Sequence, residues 1–155
     1  MALGKTVMAI DDDMDTLELL GTVLDAAGAR FLAVSDAREA LDRIVEAPPD
    51  LLLVDIAMPG RDGEEIVRRL RERPAAEGGR VPAITVTACL PTESARRRWR
   101  SAGFQCAVAK PFDPRALVRL VDDLAGKPVE RRLRRDRRRA GRRIEDRRTP
   151  FSGRR

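Results

Sequence analysis

The chain has 155 residues, with 31 Lys and Arg against 25 Asp and Glu, no His, no Tyr, one Trp and two Cys. That length suits one domain, or one domain with an appendage. The lack of histidine excludes His-dependent triads, His-ligated metals and a phosphohistidine carried by the chain itself. Only Cys89 and Cys106 remain for thiol chemistry, without C-x-x-C spacing, which excludes zinc clusters and disulfide frameworks. As lone cysteines in apolar surroundings they are expected to be small buried side chains of a cytosolic protein. At the N-terminus Val7 to Ile10 meets three acids at once, a run too short for a signal peptide or a membrane span. The expectation is a soluble, cytoplasmic protein without a transmembrane segment.

Charge is unevenly spread. Residues Gly126 to Arg155 carry 14 Lys and Arg and 4 Asp and Glu, a net +10, while the preceding 125 residues carry 17 bases and 21 acids, a net −4. Gly126-Lys127-Pro128 punctuates the change, since Gly and Pro both interrupt helices. The expected organisation is therefore a domain over residues 1–125 and an Arg-rich tail over 126–155. The body has enough apolar material to bury roughly 65% of its unfolded surface. The tail offers only Val129, Leu133, Ile144 and Phe151 as large apolar residues. It cannot offset the entropy of ordering and is expected to be disordered alone.

Taken in chain order, short apolar runs alternate with helical patterns. Val7 to Ile10 is followed by Leu17, Leu20, Leu24 and Ala27 at helical spacing, with Gly28 ending the helix. Phe31 to Val34 precedes a helix bearing Ala37, Ala40, Leu41 and Ile44, closed by Pro48-Pro49. Leu51 to Val54 runs into Asp55, Pro59-Gly60 predicts a turn, and Ile66, Val67 and Leu70 mark a third helix. Val81 to Ala88 is rich in β-branched residues, and Ala95, Trp99 and Ala102 share one face of a fourth helix. Cys106 to Ala109 leads into Lys110-Pro111, and Leu117, Val118, Leu120, Val121 and Leu124 mark a fifth helix. Apolar runs of this length, bounded by turns, are the pattern of strands buried on both faces. Five of them alternating with five helices predict an α/β fold with an open, doubly wound parallel sheet and right-handed crossovers.

In such a sheet ligands bind beyond the carboxyl ends of the strands. The residues expected there are Asp11, Asp12, Asp55, Thr87 and Lys110, each directly after apolar sequence. Three carboxylates within about 4 Å repel by on the order of 4 kcal/mol per pair at an effective dielectric of 20. Either one is protonated or a cation sits among them, and oxygen donors alone favour Mg²⁺. A lysine and a hydroxyl beside a magnesium–carboxylate cluster make a site for a phosphoryl group. Asp55 can then serve as nucleophile, forming an acyl phosphate once its charge is neutralised. Singly, each residue has a plainer role. Asp11-Asp12-Asp13 can cap a helix, Asp55 can start a turn, Thr87 suits any strand and Lys110 any surface. Their conjunction at one sheet edge points to a site.

The stretches VMAIDDDMDTLELL, LLLVDIAMPGRDG, ITVTA and AVAKPFD, in this order and at these spacings, resemble a receiver domain of the bacterial two-component response regulators over residues 5–125. The resemblance implies a flavodoxin-like sheet of strand order 2-1-3-4-5. It implies Asp55 as phosphoacceptor, Asp11 and Asp12 as the acidic pair holding Mg²⁺, and the backbone carbonyl of Ala57 as a further ligand. Thr87 matches the hydroxyl that moves toward the phosphoryl group, and Lys110 the lysine that pairs with it. The Lys110-Pro111 bond is similar to one that is usually cis in the family. One departure stands out: Ala107 occupies the position, three residues before the lysine, where the family usually has an aromatic side chain that rotates on phosphorylation. Trp99, on the face of Ala95 and Ala102, is expected to be packed instead.

Two readings of different class follow. The first is a signalling module, not an enzyme, that takes phosphate from a sensor histidine kinase or a histidine phosphotransfer protein and alters a partner's binding. The second is an aspartyl-phosphate phosphohydrolase of the haloacid-dehalogenase type, whose members resemble D-x-D-x-T after the first strand. Here Asp13-Met14-Asp15-Thr16 puts the threonine one residue early, Asp11-x-Asp13 is followed by Asp15 in its place, and the body leaves no room for a substrate-covering cap. No helix-turn-helix or catalytic domain fits in the thirty tail residues. The tail reads as a solvated linker or as a weak, nonspecific anchor for nucleic acid or another anionic surface.

Overall fold

The computed structural model describes residues 2–58 and 63–129. The turn expected at Pro59-Gly60 and the tail beyond Val129 lie outside the described residues. The elements are β1 (Thr6–Ile10), α1 (Met14–Ala26), β2 (Arg30–Val34), α2 (Ala37–Glu46), β3 (Leu51–Asp55), α3 (Gly63–Arg71), a 3-10 turn (Ala75–Glu77), β4 (Ala83–Thr87), α4 (Glu93–Ala102), β5 (Cys106–Ala109) and α5 (Pro114–Leu124). All strand pairings are parallel and the order is β2-β1-β3-β4-β5, as the resemblance implied. No helix among the described residues is long and apolar enough to cross a membrane.

The helices start where the sequence supplies an acceptor for otherwise unpaired N–H groups. Asp13, Asp36, Thr92 and Asp113 each cap a helix, accepting from the backbone N–H of Asp15, Arg38, Ala95 and Arg115 respectively. Pro114, which has no N–H to satisfy, opens α5. α4 stops at Gly103, whose φ of 114° is a left-handed conformation that favours glycine.

Alternate residues of each strand face opposite sides of the sheet, and each side has its own core. Met8, Ile10, Leu52, Val54 and Ala83 pack with Ala40 and Ile44 of α2, Ile66, Val67 and Leu70 of α3, and Trp99 and Ala102 of α4. Val7, Ala9, Leu51, Leu53, Ile84 and Val86 pack with Leu17, Leu20 and Leu24 of α1 and Leu117, Val121 and Leu124 of α5. Each such aliphatic side chain stabilises the fold by roughly 1.5–3 kcal/mol on burial. α4 is the least embedded of these helices: only Trp99 and Ala102 of its ten residues are buried. It is also tied to α3 by an ion pair, Arg98 Nε lying 2.9 Å from Oε2 of the buried Glu64, which Arg68 meets at 2.6 Å from the other side.

The structure departs from the sequence reading in a few places. The run Val81 to Ala88 becomes a strand only over Ala83–Thr87, because Pro82 has no N–H for the ladder; its carbonyl still accepts from the Leu52 N–H at 2.9 Å. The cysteines are not buried: Cys89 is exposed and Cys106 half-buried. Cys89 lies in the loop past the end of β4, and Cys106 sits on an edge strand that has a neighbour on one side only. Past α5 the chain stays against the body. Gly126 N–H donates to the Asp50 carbonyl at 2.9 Å, Val129 N–H to that of Arg80 at 3.2 Å, and the Val129 side chain is buried.

Candidate functional site

Strand register decides which residues meet. Ile10 pairs with Val54, Asp55 with Val86 and Thr87 with Ala109. Asp11, the next residue along β1, is therefore level with Asp55, while Thr87 lies one residue beyond that level on β4 and Lys110 two residues beyond it on β5, so that the four cluster at the carboxyl ends of four adjacent strands. The sequence-predicted residues are thereby brought to one edge.

Asp11, Asp12 and Asp55 each offer a carboxylate oxygen, and these oxygens all lie within 4.8 Å of one another. Asp11 is 2% and Asp55 9% exposed, whereas Asp12 is exposed. Lys110 Nζ donates to Asp11 Oδ2 at 3.1 Å, and the Lys110 backbone N–H donates to the Thr87 carbonyl at 2.7 Å. Thr87 is buried; its Oγ1 accepts from the Cys89 N–H at 3.3 Å. Ala57 lies two residues beyond Asp55, and its backbone N–H donates to Asp55 Oδ1 at 3.1 Å. The Lys110-Pro111 bond is cis. Ala107 is half-buried on β5, paired with Thr85 rather than with a site residue.

The electrostatics follow from this crowding. Burial pushes the Asp55 carboxyl above the ordinary carboxylate range, and neighbouring Asp11 adds to that, against the Ala57 N–H and Lys110, which favour the ionised form. Asp13 goes the other way, its carboxyl lowered chiefly by the Thr16 hydroxyl, which donates to it at 2.8 Å. Asp13, Asp15 and Thr16 are therefore occupied in starting α1, and Asp13 stands outside the carboxylate cluster.

The donor set fits a hard cation. It is made of carboxylate oxygens, with no His in the chain and neither Cys in the cluster, and such a set matches Mg²⁺ rather than a soft metal. Asp11, Asp12 and Asp55 are the residues that could hold it, beside a lysine that already neutralises one of them.

Sequence reasoning did not single out Gly63 or Glu64. A Cβ on Gly63 would lie 2.0 Å from the Asp55 carbonyl oxygen, so the start of α3 can approach the end of β3 only with glycine there. Asp-Gly is a dipeptide common in turns, but nothing in the linear sequence marks the close approach. Glu64 reads in sequence as an ordinary acid in a first helical turn; in the fold its buried carboxylate is met not only by Arg68 one turn on but by Arg98, 34 residues away.

Comparison with known proteins agrees with this geometry. The family model for the response regulator receiver domain matches residues 7–122. An uncharacterized 14.6 kDa protein in the sodA1 3′ region of Leptolyngbya boryana is 41% identical over 115 residues, covering 74% of this chain and 86% of that protein. The phosphate regulon transcriptional regulatory protein PhoB of Pseudomonas aeruginosa is 33% identical over 116 residues, 75% of this chain and 49% of PhoB; the chain spans about half the length of that regulator. Among solved structures, the receiver domain of sensor histidine kinase PA1611 from Pseudomonas aeruginosa, with a magnesium ion coordinated in its active site cleft, superposes with a TM-score of 0.71 at 27% identity, covering 80% of this chain and 99% of that one. The chemotaxis protein CheY4 of Vibrio cholerae gives a TM-score of 0.71 at 25% identity, over 80% of this chain and 98% of that one. With its fold, its acidic strand-end cluster and a family match across most of its length, the chain belongs to the response regulator receiver domains of two-component phosphorelay systems.

Proposed function

We propose that the chain is a phosphoacceptor switch, with Asp55 taking a phosphoryl group from a sensor histidine kinase or a histidine phosphotransfer protein. The observation that carries the reading is the convergence of the Asp11, Asp12 and Asp55 carboxylates beside Lys110 at the carboxyl edge of the sheet. Asp11, Asp12, Asp55 and the backbone carbonyl of Ala57 would hold Mg²⁺, which when bound neutralises the carboxylates and withdraws charge from a phosphoryl group.

In the transfer, a carboxylate oxygen of Asp55 attacks phosphorus as the phosphorus–nitrogen bond of the donor phosphohistidine breaks, giving an acyl phosphate and a free imidazole that takes its proton from solvent. The Ala57 N–H, donating to Oδ1, holds the Asp55 side chain in one orientation during the attack. Lys110 supplies positive charge to the transferred group, and the Thr87 hydroxyl is the donor that turns toward it, exchanging its bond with the Cys89 N–H for one to a phosphoryl oxygen. The β4–α4 loop follows that exchange, and the change in α4 is what a partner reads.

This makes the body over residues 1–125 a signalling module rather than a phosphohydrolase, working in the cytoplasm. The Arg-rich segment over 126–155 is a separate appendage whose net charge of +10 favours weak, sequence-independent contact with polyanions. The test of the central reading is incubation with Mg²⁺ and a small-molecule phosphodonor followed by intact-mass measurement. A single phosphoryl adduct is expected, abolished by Asp55→Asn and by chelation. An adduct that persists on the Asp55→Asn protein overturns the assignment.

A further inference from the structure

The helices differ in the charge they show to solvent. α4 carries four arginines against one acid, while α2, α3 and α5 hold acids and bases in near balance. α1 carries Asp15, Glu18 and Asp25 and no base at all. All three acids are exposed, and at 3.6 residues per turn they share one arc of the helix with Thr22 and Ala26, opposite the buried Leu17, Leu20 and Leu24. No ion pair among the described residues reaches any of them. Asp25 also stands in the last turn without a base beside it, where the helix carbonyls already present negative charge. Met14 and Leu19 flank the arc at 65% and 51% exposed, two of the three large apolar side chains exposed among the described residues. The face is thus negative along its length and apolar at its sides. What complements it is a cationic segment with apolar groups of its own.

The chain itself contains such a segment. Residues 130–155 lie outside the described residues; their sequence holds 13 Arg against 4 acids, a net +9, with Leu133, Ile144 and Phe151 interspersed. The described chain delivers them to the end of the molecule where α1 stops. α1 ends at the amino edge of the sheet, where the Leu3 N–H donates to the Ala27 carbonyl at 2.9 Å. Gly126 is held at the same edge: its N–H donates to the Asp50 carbonyl, and the Asp50 N–H donates to the carbonyl of Thr6 at the start of β1. Twenty-six residues reach at most about 90 Å, and α1 is about 20 Å long, so the segment can follow the whole face. Tethering gives it an effective concentration of order millimolar, an advantage that a separate basic partner lacks.

We propose that the Arg-rich segment over 130–155 docks on the exposed face of α1, its guanidinium groups answering Asp15, Glu18 and Asp25 and its apolar side chains and arginine stems covering Leu19 and Met14. Each ion pair is exposed and screened by salt, so the contact is a sum of weak bonds that forms and releases readily. α4 repels the segment, and α2 and α5 intersperse their acids with arginines. The arginines that hold α1 are those a polyanion would claim, so the two compete. A polyanion that draws the segment away uncovers α1.

The test uses the full chain, with backbone amide shifts followed by NMR as salt is raised. Amides from Glu18 to Ala26 are expected to shift as the segment leaves. Arg134→Gln, Arg135→Gln, Arg137→Gln, Arg138→Gln and Arg139→Gln together should remove more than half of that change. Glu18→Lys with Asp25→Lys should free the segment and raise affinity for a heparin fragment about fivefold, for a docked form holding about four fifths of the molecules. Asp42→Lys with Glu46→Lys makes the same charge change on exposed residues of α2 and should raise it less than half as much, with helix content matched by circular dichroism. If heparin binds none of these proteins, the polyanion reading fails and the shifts alone decide the docking. The proposal is overturned if the α1 shifts survive the glutamine changes, or if they are confined to Asp11, Asp12 and Asp13, which puts the segment on the carboxylate cluster. It is overturned also if they depend on protein concentration, which puts another molecule's segment on the face, or if the α1 and α2 reversals raise heparin affinity equally.

Discussion

Replacing Asp55 with Asn should stabilise the protein in the absence of divalent cations. Asp55 and Asp11 are both buried, and with oxygens 4.8 Å apart at most their repulsion is about 3.5 kcal/mol at an effective dielectric of 20. The Lys110 ammonium at 3.1 Å from Asp11 offsets part of this, and counterions near exposed Asp12 screen more. A net gain of about 1–3 kcal/mol remains, or roughly 3–5 °C in Tm per kcal/mol for a domain of this size. Asparagine keeps an oxygen for the Ala57 N–H, so the loop after β3 retains its anchor. The pH dependence has a definite sign. Because the folded-state carboxyl of Asp55 is raised above its ordinary 3.8, the folded state binds its proton more tightly than the unfolded one. Wild-type stability therefore falls as pH rises from 3.8 through the raised value, and the full cost persists at neutral pH. The Asn variant lacks that component. Urea denaturation at low salt, with chelator and then with Mg²⁺, measures both effects. Wild type should gain more from Mg²⁺ than the variant does, since ligand binding to the folded state adds stability. An Asn variant equal to or less stable than wild type in chelator would refute the electrostatic account of the cluster.

Gly63→Ala should cost at least about 3 kcal/mol, since its Cβ would press on the Asp55 backbone rather than on a flexible side chain; an unchanged denaturation midpoint would contradict the close approach. Ala107→Tyr should alter partner binding while leaving the rate of phosphorylation from a small-molecule donor nearly unchanged, because position 107 pairs with Thr85 and not with the carboxylates; identical partner binding by both proteins would make the alanine an inconsequential departure. Polyanion binding by the tail should be governed by counterion release, falling by roughly 10³–10⁵ between 50 and 200 mM salt for about 6–10 phosphate contacts. A version ending at Val129, which keeps the buried residue after α5, should lose that binding, and equal DNA affinity in the two versions would exclude the tail.

The architecture was legible because the strands are buried on both faces, so that LLLV in β3 and AITV in β4 announce themselves as uninterrupted apolar runs. The site residues were legible for a related reason: a charged or polar residue directly after such a run lies at the sheet edge. What could not be read depends on distances between segments remote in sequence. The glycine at 63 is required by a carbonyl eight residues earlier, and the buried Glu64 finds one of its partners on another helix. The exposure of Cys89 and Cys106 follows from a loop position and an edge strand, neither of which an apolar neighbourhood in sequence reveals.

The shallow seating of α4 has a consequence for how the protein opens. Releasing this helix uncovers one large side chain, Trp99, and breaks the Arg98–Glu64 ion pair and the hydrogen bonds that Arg71 of α3 donates to the Gly103 carbonyl at its end. The cost is a few kcal/mol by area and ion-pair arithmetic, against the roughly 5–15 kcal/mol that holds a whole domain together. α4 should thus behave as a cooperative unit of its own, detaching while the five-stranded sheet stays assembled. In native-state hydrogen exchange its amides would form the first group to lose protection, with an opening free energy well below that of β1, β3 and β4. That detached form would leave Glu64 facing solvent and the Thr85 side of the sheet bare, a minor state held ready within the resting ensemble.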